Sequence, residues 1–447
     1  MVLQLFVEIF ALTTFEKSEG SLVMKKRICV ISLVLCIFLL GTGAVSCKTK
    51  LMFWYSLGGH NGTVIESLVE DFNNSQSDIL VEAQYMGNHT EIVQKLLASI
   101  AGNATPHVST LGQRQGIPQI YDSGVLYSID ELTQRYGGLD MDDLVPGFVQ
   151  RFTYRDRLVA LPFANSTPAL HYNRDLFEEA GLDPNEAPET WEELIEYANK
   201  LTKDTDGDGR IDQWGFNTGA DTPWYVYALI GQIEGKMMDD NWNPLFNSEK
   251  GVQVVEFWSD LVHEHKVMPE LMHPHVEQDF VTGKLAMLFN SIGSTGSFAS
   301  QIGDSFDYGV APLPGNLTKS VPVGGAGIGV FKSSPKEEEA SWEFVRWLLS
   351  PDIMARWAVE TGYVPVTYSS THTSTIQNHI ASNPNASVGI EQLDYVAAEG
   401  VNPADFEVWS GITSILEQVE ADPNANIKRL LDGLADQVST YVKQYQN

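Results

Sequence analysis

Aspartates occupy four of the five alternate positions in residues 204–212, a spacing that could bind a metal ion. It matches the opening of an EF-hand calcium loop, where alternate oxygens surround the ion and a glycine, here Gly209, makes the sharp turn. The predicted ligands of a structural calcium ion are Asp204, Asp206, Asp208, the Arg210 carbonyl and Asp212. The twelfth position, normally a bidentate glutamate, is Gly215. An acidic turn held by Asx hydrogen bonds is therefore an equal alternative.

Histidines form a second group of potential metal ligands, at His263, His265, His273 and His275. Residues two apart do not share a helical face, so the first two could converge on zinc only within a loop. His-Glu-x-x-His and Gly-x-Ser-x-Gly motifs are absent, and the glycines of 324–329 have the wrong spacing for a dinucleotide loop. The sequence thus nominates no catalytic residue, and no cofactor is expected beyond the calcium ion.

The N-terminal region has the order of an export signal. A basic cluster at 25–27 precedes an apolar run over 28–40 and then small residues ending at Cys47. At ~1.5 Å per residue the run reaches about 20 Å, short of a ~30 Å bilayer core. We expect residues 1–23 to precede the true start at Met24, and 24–46 to be a lipoprotein signal peptide. Cys47 would then be lipidated and anchor an extracytoplasmic protein to the bacterial cell membrane; an ordinary cleavage site before a free cysteine is the alternative.

The net charge of the chain limits the classes of partner that it is expected to bind. It has 28 basic and 58 acidic residues, for a formal net charge of −30. Nucleic acids and anionic lipid surfaces are bound through Lys and Arg, so neither is an expected partner, apart from membrane contact through the lipid anchor. An anionic ligand would need a local basic site.

Short β-rich runs alternate with amphipathic helices, which indicates an α/β protein. Strands are predicted at 51–55 and 79–83, each followed by a helix. Thr190 and Glu193 form a capping box that predicts a helix through Leu201. No internal repeat or long linker is present, so two domains would be interwoven.

Several ordered segments carry a family resemblance. They comprise residues 53–56, 161–168, 172–177, 180–184, 190–191, 324–325 and 361–366. Together they resemble the extracellular solute-binding proteins of bacterial ABC importers, which include maltose- and glycerol-3-phosphate-binding proteins. The resemblance implies a type II periplasmic-binding-protein-like α/β fold with two interwoven lobes and crossing hinge segments. Lobe 1 would comprise 48–160 and 308–357, and lobe 2 would comprise 161–307 and 358–447. A monomer would close around its ligand and dock on the permease subunits.

The resemblance also implies a set of ligand-binding residues. They are Tyr55, His89, Gln113, Ser166, Trp191, Asp221, Trp224, Gly293, Ser294, Gly325, Tyr363 and Trp409. Aromatic rings would stack on the faces of a sugar, while glycines would let backbone groups approach it. Core packing is the alternative for each aromatic residue.

Departures from the family pattern concern the ligand. Glycerol-phosphate binders have a late arginine where this chain has Glu407-Val408-Trp409. A buried phosphate without a cation would be costly, so the sequence favours a neutral sugar or oligosaccharide. One alternative is a receptor for glycerol-3-phosphate or a glycerophosphodiester. Another is a secreted glycoside hydrolase using two carboxylates. The leading interpretation is a receptor and not an enzyme.

Overall fold

A computed structural model describes residues 48–112, 116–219, 222–270 and 275–445. The predicted extension 1–23, signal peptide 24–46 and lipidated Cys47 lie outside these residues. No helix within the described part of the chain combines the length and apolarity needed to cross a membrane.

The strands are short and are spread over most of the chain. In order they are β1 (Thr49–Tyr55), β2 (Ile79–Tyr85), β3 (Val108–Leu111), β4 (Thr153–Tyr154), β5 (Arg157–Leu158), β6 (Leu161–Ser166), β7 (Pro168–Asn173), β8 (Trp214–Thr218), β9 (Leu285–Ser291), β10 (Tyr308–Ala311), β11 (Val321–Pro322), β12 (Gly324–Val330) and β13 (Val396–Ala397). Strands β1 and β2 contain the predicted strands at 51–55 and 79–83, and each is two residues longer than predicted.

Helices fill the intervals between the strands. They are α1 (Gly59–Ser75), α2 (His89–Ala101), α3 (Ile117–Asp122), α4 (Ile129–Tyr136), α5 (Pro146–Arg151), α6 (Arg174–Glu179), α7 (Trp191–Leu201), α8 (Thr222–Gln232), α9 (Glu249–His263), α10 (Val276–Val281), α11 (Thr295–Ile302), α12 (Pro335–Leu348), α13 (Pro351–Thr361), α14 (Tyr368–Thr371), α15 (Ser374–Ser382), α16 (Val388–Glu391), α17 (Asp405–Ala421) and α18 (Ile427–Val442). The predicted capping box of α7 is confirmed, because Glu193 N–H donates to Thr190 Oγ1 at 3.1 Å and Thr190 N–H donates to Glu193 Oε2 at 3.2 Å.

The larger sheet has five strands in the order β2-β1-β3-β12-β6. Strand β1 is parallel to β2 and β3, whereas β12 is antiparallel to β3 and β6. The carboxyl ends of β1, β2, β3 and β6 therefore share one edge with the start of β12.

The smaller sheet has four strands in the order β10-β7-β9-β8. Strand β7 is antiparallel to β10 and β9, and β8 is parallel to β9. The carboxyl ends of β8, β9 and β10 therefore share one edge with the start of β7. Only Thr167 separates β6 from β7, so the chain passes directly from the edge of one sheet to that of the other.

The two largest hydrophobic cores among the described residues accompany the two main sheets. The first packs around the five-stranded sheet and contains Phe53, Phe163, Trp342 and Trp357. The second packs around the four-stranded sheet and contains Phe177, Tyr225 and Trp258.

Sheet membership changes at positions close to the predicted lobe boundaries. Strand β6 (161–166) belongs to the larger sheet and β10 (308–311) to the smaller, so the changes fall at Thr167 and after Ala311. The predicted lobe ranges place these two boundaries at 160/161 and 307/308. The lobe ranges themselves stay a prediction.

Candidate functional site

The two facing sheet edges collect most of the predicted ligand residues. Tyr55 and Ser166 end β1 and β6, and His89 begins α2 just after β2. After the smaller sheet's strands come Trp224, in the first turn of α8, and Gly293 and Ser294, beyond β9; Gly325 lies at the start of β12. Ligands of open α/β sheets bind at such carboxyl edges. Gln113 and Asp221 lie outside the described residues.

A cavity of about 250 Å³ brings two predicted tryptophans together. Trp224 and Tyr227 lie three residues apart on α8, and Asp405 and Trp409 lie four apart on α17, so each pair shares a helical face. The remaining charged lining residues are Arg151, Lys236 and Glu399. We call this space the tryptophan cavity. Aromatic planes surrounded by hydrogen-bonding groups suit a polyhydroxylated solute.

Two glycines at the start of β12 have close neighbours, and one of these neighbours is the Trp224 ring. A Cβ atom at Gly324 would lie 2.7 Å from Trp224 Cζ2 and 2.7 Å from Ser166 Oγ. Gly325 has φ +81°, and a Cβ there would lie 1.9 Å from the Ala164 carbonyl oxygen. Only glycine fits these two positions without a shift of their neighbours. Gly324 therefore lies close to both Trp224 and Ser166.

Arg151 is a cleft residue that the sequence analysis missed. Its Nη1 donates to the Val323 carbonyl at 2.7 Å, and its Nη2 lies 3.4 Å from the carbonyl oxygens of both Gly112 and Gly325. The guanidinium therefore connects the ends of β3 and β12 while lining the tryptophan cavity. No local sequence pattern links position 151 to the helix that carries Trp409.

His89 is held between the ends of β1 and β3. Its Nδ1 lies 2.8 Å from Ser56 Oγ, which in turn lies 3.1 Å from Thr110 Oγ1. The ring packs on Gly112, where a Cβ would lie 2.0 Å from Nδ1. Burial, followed by the positive charge of Arg151, lowers the pKa of His89 to about 4. The imidazole is therefore neutral at neutral pH and can act as a hydrogen-bonding group.

Tyr55 points into the core. Its side chain is 2 % exposed, its ring centroid lies 5.7 Å from that of Tyr85, and its hydroxyl donates to Glu66 Oε1 at 2.7 Å. Burial is the main cause that raises the pKa of this hydroxyl, and the bond to Glu66 adds to it. The hydroxyl thus already has a protein partner.

A second cavity, of about 690 Å³, contains two further predicted residues. Gly293 and Tyr363 line it together with Gly58, His60 and Thr295. The Tyr363 ring stacks on Trp357 with centroids 5.5 Å apart, and burial raises the pKa of its hydroxyl to about 12.

Strand β6 runs between elements of the two cavities. Asn165 pairs with Gly325 on one side and with Val364 on the other. Ser294, which is next to Gly293, donates through Oγ to Asn290 Oδ1 at 3.1 Å. Of the predicted ligand residues that the structure describes, four line these two cavities: Trp224 and Trp409 line the tryptophan cavity, and Gly293 and Tyr363 line the second.

Trp191 lines neither cavity. It is 5 % exposed in the second core, stacks on Phe257 with centroids 4.3 Å apart, and donates through Nε1 to Gln232 Oε1 at 2.6 Å. The structure gives this side chain a packing role, and its contact with a ligand stays a prediction.

The aspartate loop brings some of its predicted ligands together. Oxygens of Asp204, Asp206 and Asp208 lie within 4.8 Å of one another. Asp204 also accepts hydrogen bonds from the backbone of Gly207 and Gly209, as in an Asx turn. Asp212 instead accepts from Thr205 N–H at 3.2 Å. Both the calcium site, including the Arg210 carbonyl, and the acidic turn remain compatible with this arrangement.

The histidine group gives less support to a metal site. His263 Nε2 lies 2.8 Å from the Val419 carbonyl oxygen, and His273 lies outside the described residues. Because the four histidines cannot be compared in full, a zinc site at this group stays a prediction.

Comparison with known proteins decides the family. The chain matches the bacterial extracellular solute-binding protein family over residues 67–385. The chain belongs to this family. The predicted family and the solute-binding role in ABC import are thereby confirmed.

Curated relatives of this solute-binding protein include the sn-glycerol-3-phosphate-binding periplasmic protein UgpB of Yersinia pestis. It is 28% identical over 364 residues, which cover 77% of this chain and 80% of the relative. The UgpB of Salmonella typhimurium is 27% identical over 386 residues, covering 79% and 82%.

Solved structures confirm the predicted type II periplasmic-binding-protein-like fold. UgpB from Mycobacterium tuberculosis, in complex with glycerophosphocholine, has a TM-score of 0.77 at 24% identity and covers 90% of this chain and 100% of its own. The cyclic α-maltosyl-1,6-maltose binding protein from Arthrobacter globiformis has a TM-score of 0.76 at 23% identity, covering 89% and 100%.

Proposed function

We propose that this solute-binding protein captures a neutral sugar or short oligosaccharide in the tryptophan cavity and delivers it unchanged to a membrane permease. The observation that carries the proposal is that Trp224 and Trp409, from two different helices, line one cavity beside charged hydrogen-bonding groups. Ring faces of a sugar stack on such planes, while its hydroxyls donate to carboxylates and accept from cations.

The charges of the tryptophan cavity support a neutral ligand. Arg151 and Lys236 are balanced by Glu399 and Asp405. The guanidinium of Arg151 is directed at three backbone carbonyls, so its donors are largely used by the protein itself. A solute without net charge would leave the charges of these side chains balanced and the carbonyl contacts of Arg151 intact.

Calorimetric titration of the purified chain tests this proposal. The panel should contain mono- and oligosaccharides, glycerol-3-phosphate and glycerophosphocholine, with chromatography of the solute after incubation. We expect saturable one-to-one binding of a saccharide that is recovered intact. Cleavage of the saccharide by the purified protein would instead identify a glycoside hydrolase.

A phosphate-containing ligand is the second candidate, favoured by the presence of both Arg151 and Lys236 in the tryptophan cavity. The UgpB relatives are named for binding sn-glycerol-3-phosphate, and one solved UgpB holds glycerophosphocholine. If a phosphate is bound here, Arg151→Gln should weaken binding by more than about 100-fold and Arg151→Lys should restore part of it. For a neutral sugar we expect both variants to bind within about tenfold of each other.

Lobe closure and membrane attachment complete the proposal. The direct passage from β6 to β7 through Thr167 supports a hinge between the two sheets. Small-angle scattering should therefore show a smaller radius of gyration with the bound saccharide. We also propose that the chain acts as a monomer held outside the cytoplasm by lipidated Cys47; mass spectrometry of the membrane-extracted protein would reveal the lipid.

A further inference from the structure

The chain passes between the two main sheets at two places, and these places are neighbours in space. The first passage is at Thr167, between β6 and β7, and the second follows Ala311, the last residue of β10. Strands β7 and β10 are antiparallel, and their pairing ends at Leu170 and Ala311. The same register, continued past Ala311, would place Leu313 opposite Pro168.

Prolines keep the backbone from pairing further at this point. Pro168 and Pro312 have no N–H group, so neither can donate to the opposite segment. The side-chain amide of Gln392 joins the two segments instead. Its Oε1 accepts from Leu313 N–H at 3.2 Å, and its Nε2 donates to the Pro168 carbonyl at 3.0 Å and to Thr167 Oγ1 at 2.8 Å. The amide thus bridges the two passages as a peptide group would.

The direction of the backbone in β10 agrees with this bridge. Val310 N–H and the Tyr308 carbonyl both bond to the Asn385 side chain, on the side of β10 away from β7. Backbone groups of successive residues alternate sides along a strand. Leu313, three residues after Val310, therefore has its N–H on the side of β7, where it meets Gln392.

Gln392 also connects the two cores. Its side chain is fully buried, and its neighbour Leu393 packs in the core of the larger sheet. Leu313, which donates to it, packs in the core of the smaller sheet. Gln392 lines neither of the two cavities described above. Any effect of this residue on a bound solute would therefore act through the positions of the strands and not through contact.

We infer that Gln392 fixes the spacing between the two passages, and that this spacing positions the facing sheet edges for capture of the solute. Loss of the amide would leave the buried Leu313 N–H and the Pro168 carbonyl without this partner, which favours a looser arrangement of the passages. A looser arrangement must be ordered again when a solute binds, and that ordering weakens binding. Gln392 is thus a positioning residue, and its part in capture rests on the function proposed above.

Amide hydrogen exchange of the solute-free protein tests the bridge directly. Gln392→Met keeps the length of the side chain and removes both polar groups, so it should speed exchange at Leu313 by about tenfold or more. The matched control is Gln213→Met. Gln213 is also a buried glutamine, and it donates to the Leu201 carbonyl at 2.7 Å, away from both passages. This control should leave exchange at Leu313 unchanged.

Calorimetry with the solute of the panel that binds the parent protein tests the effect on capture. Gln392→Met should weaken its binding by about tenfold, whereas Gln213→Met should bind within about threefold of the parent. Thr167→Val removes one of the two acceptors of the Gln392 amide and keeps the bond from Leu313. It should give a smaller change in both measurements, and it decides the question if Gln392→Met does not fold.

Three outcomes would overturn the inference. They are unchanged exchange at Leu313 in the folded variant, a uniform rise in exchange over both cores, which reports global stability alone, and parental affinity despite faster exchange at Leu313. If exchange responds as expected but no solute in the panel binds the parent protein, the bridge made by Gln392 stands and the proposed function fails.

Discussion

The two ends of helix α8 place two tryptophans in different surroundings. At its last residue, Gln232 accepts the indole N–H of Trp191, whose ring stacks on Phe257. In its first turn, Trp224 lies close to Gly324 and lines the tryptophan cavity. Its buried Nε1 has no hydrogen-bond partner among the described residues. Both tryptophans are less than a tenth exposed, so burial alone does not separate them.

The difference between them lies in their partners. A buried indole N–H normally finds an acceptor, and a missing one costs about 1–3 kcal/mol. Trp191 has that acceptor and a stacked ring, which are the properties of a packing residue. Trp224 lacks the acceptor, lies close to Gly324 and lines the tryptophan cavity. The comparison predicts stability effects at one end of α8 and binding effects near the other.

Among these variants, the removal of Trp191 should have the largest effect on the free energy of unfolding. A small effect would contradict the packing role that distinguishes Trp191 from Trp224. We expect Trp191→Ala to lower the free energy of unfolding by about 3–5 kcal/mol, because it leaves a cavity in the second core. Urea unfolding measures this, and Trp191→Phe is the milder control. Affinity of the folded fraction should stay within about threefold. A loss of affinity above tenfold with intact stability would return Trp191 to the ligand site.

His171 and His89 extend the comparison to histidines, the first in the core and the second at the cleft edge. His171 is fully buried, with Nδ1 2.5 Å from the Tyr308 hydroxyl and Nε2 3.2 Å from the Ser291 carbonyl oxygen, and burial lowers its pKa to about 4. The unfolded chain takes up this proton near pH 6.5, so stability falls as the pH drops from 6.5 to 4. The loss is about 3 kcal/mol at pH 4.

Urea unfolding at pH 7 and pH 4 checks this expectation. His171→Gln should be less stable at pH 7, because it alters buried hydrogen bonds, but should lose about 3 kcal/mol less on acidification. The same pH dependence in variant and parent would show that other groups, such as His89 at the cleft edge, cause the acid sensitivity.

Trp409 provides the matching test in the tryptophan cavity. Its side chain is partly buried against the second core, so Trp409→Ala should lower the free energy of unfolding by less than Trp191→Ala does. The loss of stacking area should weaken saccharide binding by about 1–3 kcal/mol, or roughly 5- to 150-fold. Calorimetry with the saccharide identified in the panel measures this. Unchanged affinity would place the ligand elsewhere, with the cavity of Gly293 and Tyr363 as the next candidate.

Sequence reasoning succeeded where a pattern is local and failed where residues meet through the fold. The capping box of Thr190 and the strands predicted at 51–55 and 79–83 follow from neighbouring residues. Arg151 and Val323 are 172 positions apart, and Glu399 and Met237 are 162 apart, so no local signal joins either pair. The separate roles of Trp191 and Trp224 depend on a hydrogen-bond acceptor and a glycine, each supplied by a distant segment.

The aspartate loop of residues 204–212 should give the smallest effect on stability of all these predictions. Its carboxylates already accept backbone hydrogen bonds, and those from Gly209 and Gly207 help to lower the pKa of Asp204. A calcium ion would share oxygens that have partners, so its binding should add little stability. We expect 10 mM CaCl2 to raise the Tm by about 1–2 °C, with MgCl2 as control and Asp204→Asn abolishing the effect. No shift with calcium would mean that the Asx hydrogen bonds alone account for these aspartates, just as Gln232 accounts for Trp191.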